Sequence, residues 1–334
     1  MKNDRGMIDD TYRDGKIWKF FSSIFESVIL FLKSNKKIPC NAKALFELNE
    51  TIRNIEIIPN NESDANNDWI KHSNSMIHNA LHGDSSFFLR WPSVRDTMNV
   101  TNSKFVLYEL RYLKKMHSWK SFWINIILEP WIGGQIPFMF YPKSSGNSIH
   151  LAYVISQFME KTNKSFKDFN FIFEFGGGYG NLCRLIHRLG FSGKYVMHDF
   201  PIVSAFQKYY LYSAGLNVKE LNSKKADEDC IYCDSDVNNL LDFLNRNIPY
   251  DRSRNLFVAT WSLSESPLSI RKYFDGIFEK FDYFLMGYQD KFGEVNNKDY
   301  FNALKDCRKD IEWFDWSVGY LPAHNFLIGR KKKQ

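Results

Sequence analysis

Two acids bracket a run of glycines. Residues 171–189 read FIFEFGGGYGNLCRLIHRL: a short apolar stretch, a glycine cluster, then Leu182, Leu185, Ile186 and Leu189 at helical spacing. That is a strand, a tight turn and a helix. Gly176, Gly178 and Gly180 allow positive φ and let a ligand lie against the turn and the helix N-terminus. Glu174 ends the strand. Asp199 follows Gly180 by nineteen residues, at the end of the next strand, where an acid in a Rossmann-type fold receives a ribose diol.

The spacing separates two ligand classes. A dinucleotide site calls for GxGxxG, and the third glycine is replaced here by Asn181. A carboxylate two residues before the first glycine suits an ammonium, which needs acceptors, whereas a pyrophosphate needs donors. The turn and its two acids therefore predict S-adenosyl-L-methionine as cofactor, with S-adenosyl-L-homocysteine as product. A NAD-binding, sugar-modifying oxidoreductase is the alternative, and a non-catalytic binding protein that kept the fold is another.

Methyl transfer from a sulfonium to a hydroxyl is an in-line displacement, helped by a base that takes the hydroxyl proton. Glu265, in the WSLSE segment 261–265 after the fourth strand, is the first candidate. His150, just ahead of the glycine-bearing strand, is the second, and His324, before the last strand, is the third. The first two have plainer readings: Glu265 as a cap for a helix that Pro267 starts, His150 as a satisfied core histidine. Asn147, Tyr179 and Trp261 join the expected cofactor contacts, with Asp234 or Asp236 for the adenine amino group. Glu265 and Asp290 are the only acids that suggest a metal pair, so no metal is predicted.

These residues must be positioned by something, and the C-terminal part alternates strands and helices. Strands are expected at 171–175, 194–198, weakly at 230–233, at 256–260 and at 283–288. Two more, 311–318 and 325–329, have no helix between them and should form an antiparallel hairpin at one edge. The prediction is an α/β, Rossmann-like class I methyltransferase sheet, five parallel strands plus a terminal hairpin, with an N-terminal, mainly helical cap. The expected division is residues 1–143 as extension and cap and 144–334 as the cofactor domain, with a boundary candidate inside the first part at the Asn/Asp/Ser-rich stretch 59–68.

Several blocks resemble the sugar O-methyltransferases of bacterial surface-polysaccharide clusters: RWPSVRDTM (90–98), ELRYL (109–113), SGNSIH (145–150), FEFGGGYG (173–180), HDFP (198–201), SLSE (262–265) and HNFLIG (324–329). The resemblance spans about residues 86–330. It implies transfer of a methyl group to a sugar hydroxyl in polysaccharide or lipopolysaccharide synthesis, a nucleotide sugar or glycan as acceptor, and glycosyltransferase partners.

Composition narrows the rest. The chain has 334 residues and a net charge of +6, which falls to +2 without Arg330, Lys331, Lys332 and Lys333; no basic stripe marks a nucleic-acid binder. Five scattered cysteines suit a reducing compartment, and the Cys230/Cys233 pair lacks the partners of a zinc site. The polar first fifteen residues are not read as a signal peptide, so a cytoplasmic protein is expected. Residues 17–32 repeat apolar side chains at helical spacing between lysines. Packing on the body is the first expectation for that helix; peripheral attachment at the inner membrane face, through it or the C-terminal lysines, is the second. Aromatic residues number 56, more than a core of this size needs, and ten of them (Phe87, Phe88, Trp91, Trp119, Phe122, Trp123, Trp131, Phe138, Phe140, Tyr141) fall in the expected cap. Substrate is expected between that cap and the strand ends.

Overall fold

The C-terminal part folds as one eight-stranded sheet: β1 (Phe171–Phe175), β2 (Lys194–His198), β3 (Val218–Lys219), β4 (Ile231–Asp234), β5 (Asn255–Thr260), β6 (Tyr283–Gln289), β7 (Ile311–Ser317) and β8 (His324–Lys331). The computed structural model describes residues 14–32, 40–57, 67–221, 227 and 229–333, so nearly all of the expected boundary stretch 59–68 lies outside them. Spatial order is β7-β8-β6-β5-β1-β2-β4-β3, and β8 alone runs antiparallel to its neighbours. This is the class I methyltransferase fold. Within this sheet the sequence missed β3, a two-residue edge strand beside β4 that is too short to show a period, and it also missed two small hairpins, Pro137–Phe138 with Tyr141–Ser145 and Lys291–Phe292 with Val295–Asn296.

Parallel pairing brings the strand ends to one level: Phe175 is opposite His198, and His198 opposite Asp234. Loops leaving these ends therefore share a rim, where ligands of open α/β sheets bind. Helices α1 (Lys16–Leu32), α2 (Ala42–Arg53), α3 (Asn67–His82), α4 (Pro92–Met98) and α5 (Phe105–Lys115) precede the sheet. Helices α6 (Gly146–Thr162), α7 (Asn181–Arg188) and α8 (Pro201–Ser213) cover one face with them, while α9 (Val237–Asn247) and α10 (Asn297–Cys307) cover the other.

Strand β1 shows why two apolar layers are needed. Phe171, Phe173 and Phe175 enter one core, Ile172 enters the other, and every residue of the strand is buried. Burial of each such side chain contributes about 1.5–3 kcal/mol. Helix α6 begins at Gly146, three residues earlier than its apolar period suggests, because the Ser145 hydroxyl accepts the Ser148 N–H at 3.1 Å and caps it. Cys183, Cys230 and Cys233 are free and buried. No described helix is long and apolar enough to cross a membrane.

Candidate active site

A cavity of about 690 Å³ opens at the strand ends. Its floor is the turn after β1. Gly176 has φ +69°, and a Cβ there would lie 2.2 Å from Ser262 Cβ, so only glycine lets the turn pass under the β5 loop. Gly178 has φ +53°, and its Cβ would meet only Met98, at 3.8 Å, on the cavity wall. Gly180, at φ +92°, starts α7 against Leu211 and stays off the wall, so its role is in the turn alone.

Glu174 is buried beneath this turn and faces the cavity. The Tyr195 hydroxyl donates to its Oε2 at 2.7 Å, and a Cβ on Gly177 would lie 3.0 Å from the same oxygen. Burial pushes its carboxyl up to about 7. Asp199 accepts the Gly178 N–H at 3.2 Å and the Phe200 N–H at 2.9 Å, which locks it against the turn; burial raises it to about 7 as well, against those two bonds. A buried carboxylate whose one donor among the described residues is a hydroxyl fits an ammonium. Two carboxylates at one turn repel a pyrophosphate.

Tyr179 and Asn147 line the cavity but bond each other: Asn147 Nδ2 donates to the Tyr179 hydroxyl at 2.8 Å, and Gln135 donates to the same oxygen. They stitch the segment around residues 99–135 to the glycine turn. Asp234 is a correction. Its side chain leaves the cavity, Oδ1 accepts the Asp236 N–H at 2.6 Å, and Ser235 takes its place on the wall; successive residues leaving a strand point to opposite sides. Asp236 caps α9.

Three candidate bases line the same cavity: His150, His324 and Glu265. His150 Nδ1 lies 2.8 Å from Oε1 of Glu109, and the Tyr320 hydroxyl donates to that same oxygen at 2.8 Å. Nε2 is the ring nitrogen with no hydrogen-bond partner among the described residues, and an Nδ1–H donor at this bond would leave it free to take a proton. The His150 ring lies 5.5 Å from that of Trp261, which lies 6.1 Å from that of His324. Trp261 has φ +67°, a strained conformation for so large a residue, held by its N–H to Gly287 O at 2.8 Å. Trp261 Nε1 and His324 Nδ1 are buried without partners among the described residues. Burial lowers His324, keeping it neutral.

Glu265 also reaches the cavity, but it caps no helix. Trp69 and Gln289 donate to its carboxylate, the latter at 3.3 Å, while burial raises it. Asp290 is engaged by Lys298 and Asn325, and among the described residues no three metal-ligating side chains converge. His198 is held neutral by burial, at about 4, between Phe175 and Phe274.

The cavity thus gathers Glu174, Asp199, His150, His324, Glu265 and Trp261, drawn from across 175 residues of sequence. None of the ten cap aromatics lines it; they pack elsewhere, as Phe88 does on Phe206 at 4.7 Å. The aromatic wall is Trp69, Phe105, Phe175, Tyr179, Phe200 and Trp261 instead. Sequence reasoning also missed Glu109. The signal was there: Phe105, Val106, Glu109, Leu110 and Leu113 form the buried stripe of α5, and one member is an acid.

No protein-family model matches the sequence, and no curated protein is significantly similar to it. Among solved structures, the chain is similar to PigF with S-adenosylhomocysteine, at 13% identity over 87% of this chain and 95% of that one, TM-score 0.35. It is similar to the mitomycin 7-O-methyltransferase MmcR at 10% identity over 78% and 73%, TM-score 0.36. Magnesium protoporphyrin IX methyltransferase from Synechocystis PCC 6803 with bound S-adenosylmethionine is similar at 9% identity over 55% and 80%, TM-score 0.37. Strand order, not these distant likenesses, carries the fold.

Proposed function

We propose that the chain is an S-adenosylmethionine-dependent O-methyltransferase whose acceptor is a sugar hydroxyl, on a nucleotide sugar or on the growing end of a surface glycan. The observation that supports this reading is that His150, bonded to Glu109, lines the same cavity as the turn that carries Glu174 and Asp199. Bound there, the cofactor supplies an electrophilic methyl group. Glu174 accepts from its ammonium, and Asp199 accepts from its ribose hydroxyls. His150 Nε2 would take the acceptor's hydroxyl proton as the methyl carbon exchanges its bond to sulfur for one to oxygen and S-adenosylhomocysteine leaves, and Glu109 would stabilise the resulting imidazolium.

The Trp261 and Phe105 rings line the cavity and offer apolar faces to the carbon skeleton of a sugar ring, with the polar groups of His150 and Glu265 on the same lining. Buried free cysteines agree with a cytoplasmic setting, beside the glycosyltransferases that would make or extend the acceptor. The test is to incubate the protein with methyl-labelled S-adenosylmethionine and a panel of nucleotide sugars and lipid-linked glycans, then to locate the methyl. Label on no sugar oxygen would sink the acceptor assignment. A thermal shift with S-adenosylhomocysteine but no transfer to any acceptor would favour a binding protein.

A further inference from the structure

Helix α1 rests on the body through one side and leaves the other bare. The Trp18 indole donates to Asn102 O at 2.6 Å and stacks on Phe140, with ring centroids 5.5 Å apart. Asn102 Nδ2 donates to Glu26 Oε1 at 3.1 Å, and the Lys104 N–H donates to Asp14 Oδ1 at 2.6 Å just before the helix. At about 100° per residue, Trp18 and Glu26 share the side turned to the body. Ile17, Phe20, Phe21, Ile24, Val28 and Leu32 fill an arc of about 120° on the other side. They are 46% to 76% exposed, and no residue of the helix is buried. A chain with a full core elsewhere has no need to leave six such side chains in water.

Charge selects what covers them. Lys16 and Lys19 stand at the start of the helix, Lys33, Lys36 and Lys37 follow its end in sequence, and Glu26 is the only acid between residues 16 and 37. Glu26 is turned to the body and bonded. In a two-fold pair of copies, parallel or antiparallel, lysines would meet lysines with no acid to neutralise them. An anionic lipid surface satisfies both parts, taking apolar side chains below its headgroups and lysines among its phosphates. The C-terminal lysine run is a poorer anchor, because Arg330 and Lys331 pair with Glu312 and Asp310 at 2.8 Å.

We propose that α1 lies in the interface of an anionic bilayer, its apolar arc inward and the exposed Lys16 and Lys19 at its start reaching headgroup phosphates. The proposal is independent of the reaction run in the cavity. To test it, the full chain is sedimented with phosphatidylcholine vesicles, with and without about one third phosphatidylglycerol, at low and high salt. It should pellet with the anionic vesicles and be released as salt screens the attraction. Phe20→Ser with Ile24→Ser should weaken binding about tenfold or more, with unfolding temperature and S-adenosylhomocysteine binding unchanged. Lys16→Glu with Lys19→Glu should weaken it roughly tenfold on anionic vesicles only. Absence of pelleting, binding that ignores lipid charge, or a dimer in sedimentation equilibrium that the Ser pair abolishes would each overturn the proposal.

Discussion

Nδ1 of His150 and Oε1 of Glu109 are 2.8 Å apart, inside the protein, forty-one residues apart in sequence. With Nδ1 as the donor, this bond leaves Nε2 free to take a proton from a ligand in the cavity. His150→Ala is expected to lower kcat by about 10²–10⁴. Affinity for S-adenosylhomocysteine, measured by calorimetry, should stay within a few-fold. Glu109→Gln should lower kcat about tenfold or more, because an amide can donate to Nδ1 and favour the other tautomer. Near-normal turnover in His150→Ala would return the base role to Glu265 or His324.

Cofactor affinity should depend on pH with a definite sign. Burial raises Glu174 and Asp199 to about 7 in the free protein, and a bound ammonium or diol favours the ionised forms. Binding of S-adenosylmethionine should therefore weaken as pH falls through 7, by up to about tenfold per unit for each group, and level off above about 8. Glu174→Gln should flatten part of that slope. In the unliganded protein the sign reverses: a carboxyl raised from 4.5 stabilises the fold fully below that value, and this is lost as pH rises through 7. Calorimetric titrations and melting curves from pH 5 to 8.5 check both.

Two glycines of one turn should fail differently. Gly176→Ala places a Cβ 2.2 Å from Ser262 Cβ at a φ of +69°, so it should lower thermal stability by several degrees. Gly178→Ala meets nothing closer than 3.8 Å. It should cost only about 1 kcal/mol for its positive φ. Its methyl narrows the cavity beside Met98, so the loss should appear in cofactor affinity. Equal melting temperatures for the two variants would contradict the turn geometry.

A buried ion pair underlies the site. Arg184 and Glu129 are both nearly inaccessible and approach to 3.9 Å, while Glu129 Oε2 accepts the Ser145 and Ser148 hydroxyls at 2.7 Å. These bonds hold the start of α6, and hence Asn147 and His150, against α7. Glu129→Ala strands the guanidinium and should destabilise the protein by about 3–5 kcal/mol in urea unfolding. A loss below about 1 kcal/mol would show that the network does not position α6.

How much of this was legible in the sequence can be followed residue by residue. The glycine turn, Glu174 and Asp199 were legible because a strand, a turn and a helix each leave a local signature. His150, His324 and Glu265 were named as candidates, but nothing in their spacing ranked them. Asp234 was expected at the adenine amino group, and what the sequence did not show is that its carboxylate accepts the Asp236 N–H at the start of the next helix.

What the sequence by itself determined is the sheet and the glycine turn with its two acids, since periodicity and glycine placement report on backbone and burial over a few residues. The partnership of Glu109, His150 and Tyr320 was decided only by the tertiary structure. Hydrophobic patterning says that a side chain is buried, not which other buried side chain it meets. That meeting, across 211 residues between Glu109 and Tyr320, depends on how α5, α6 and the turn before β8 pack together.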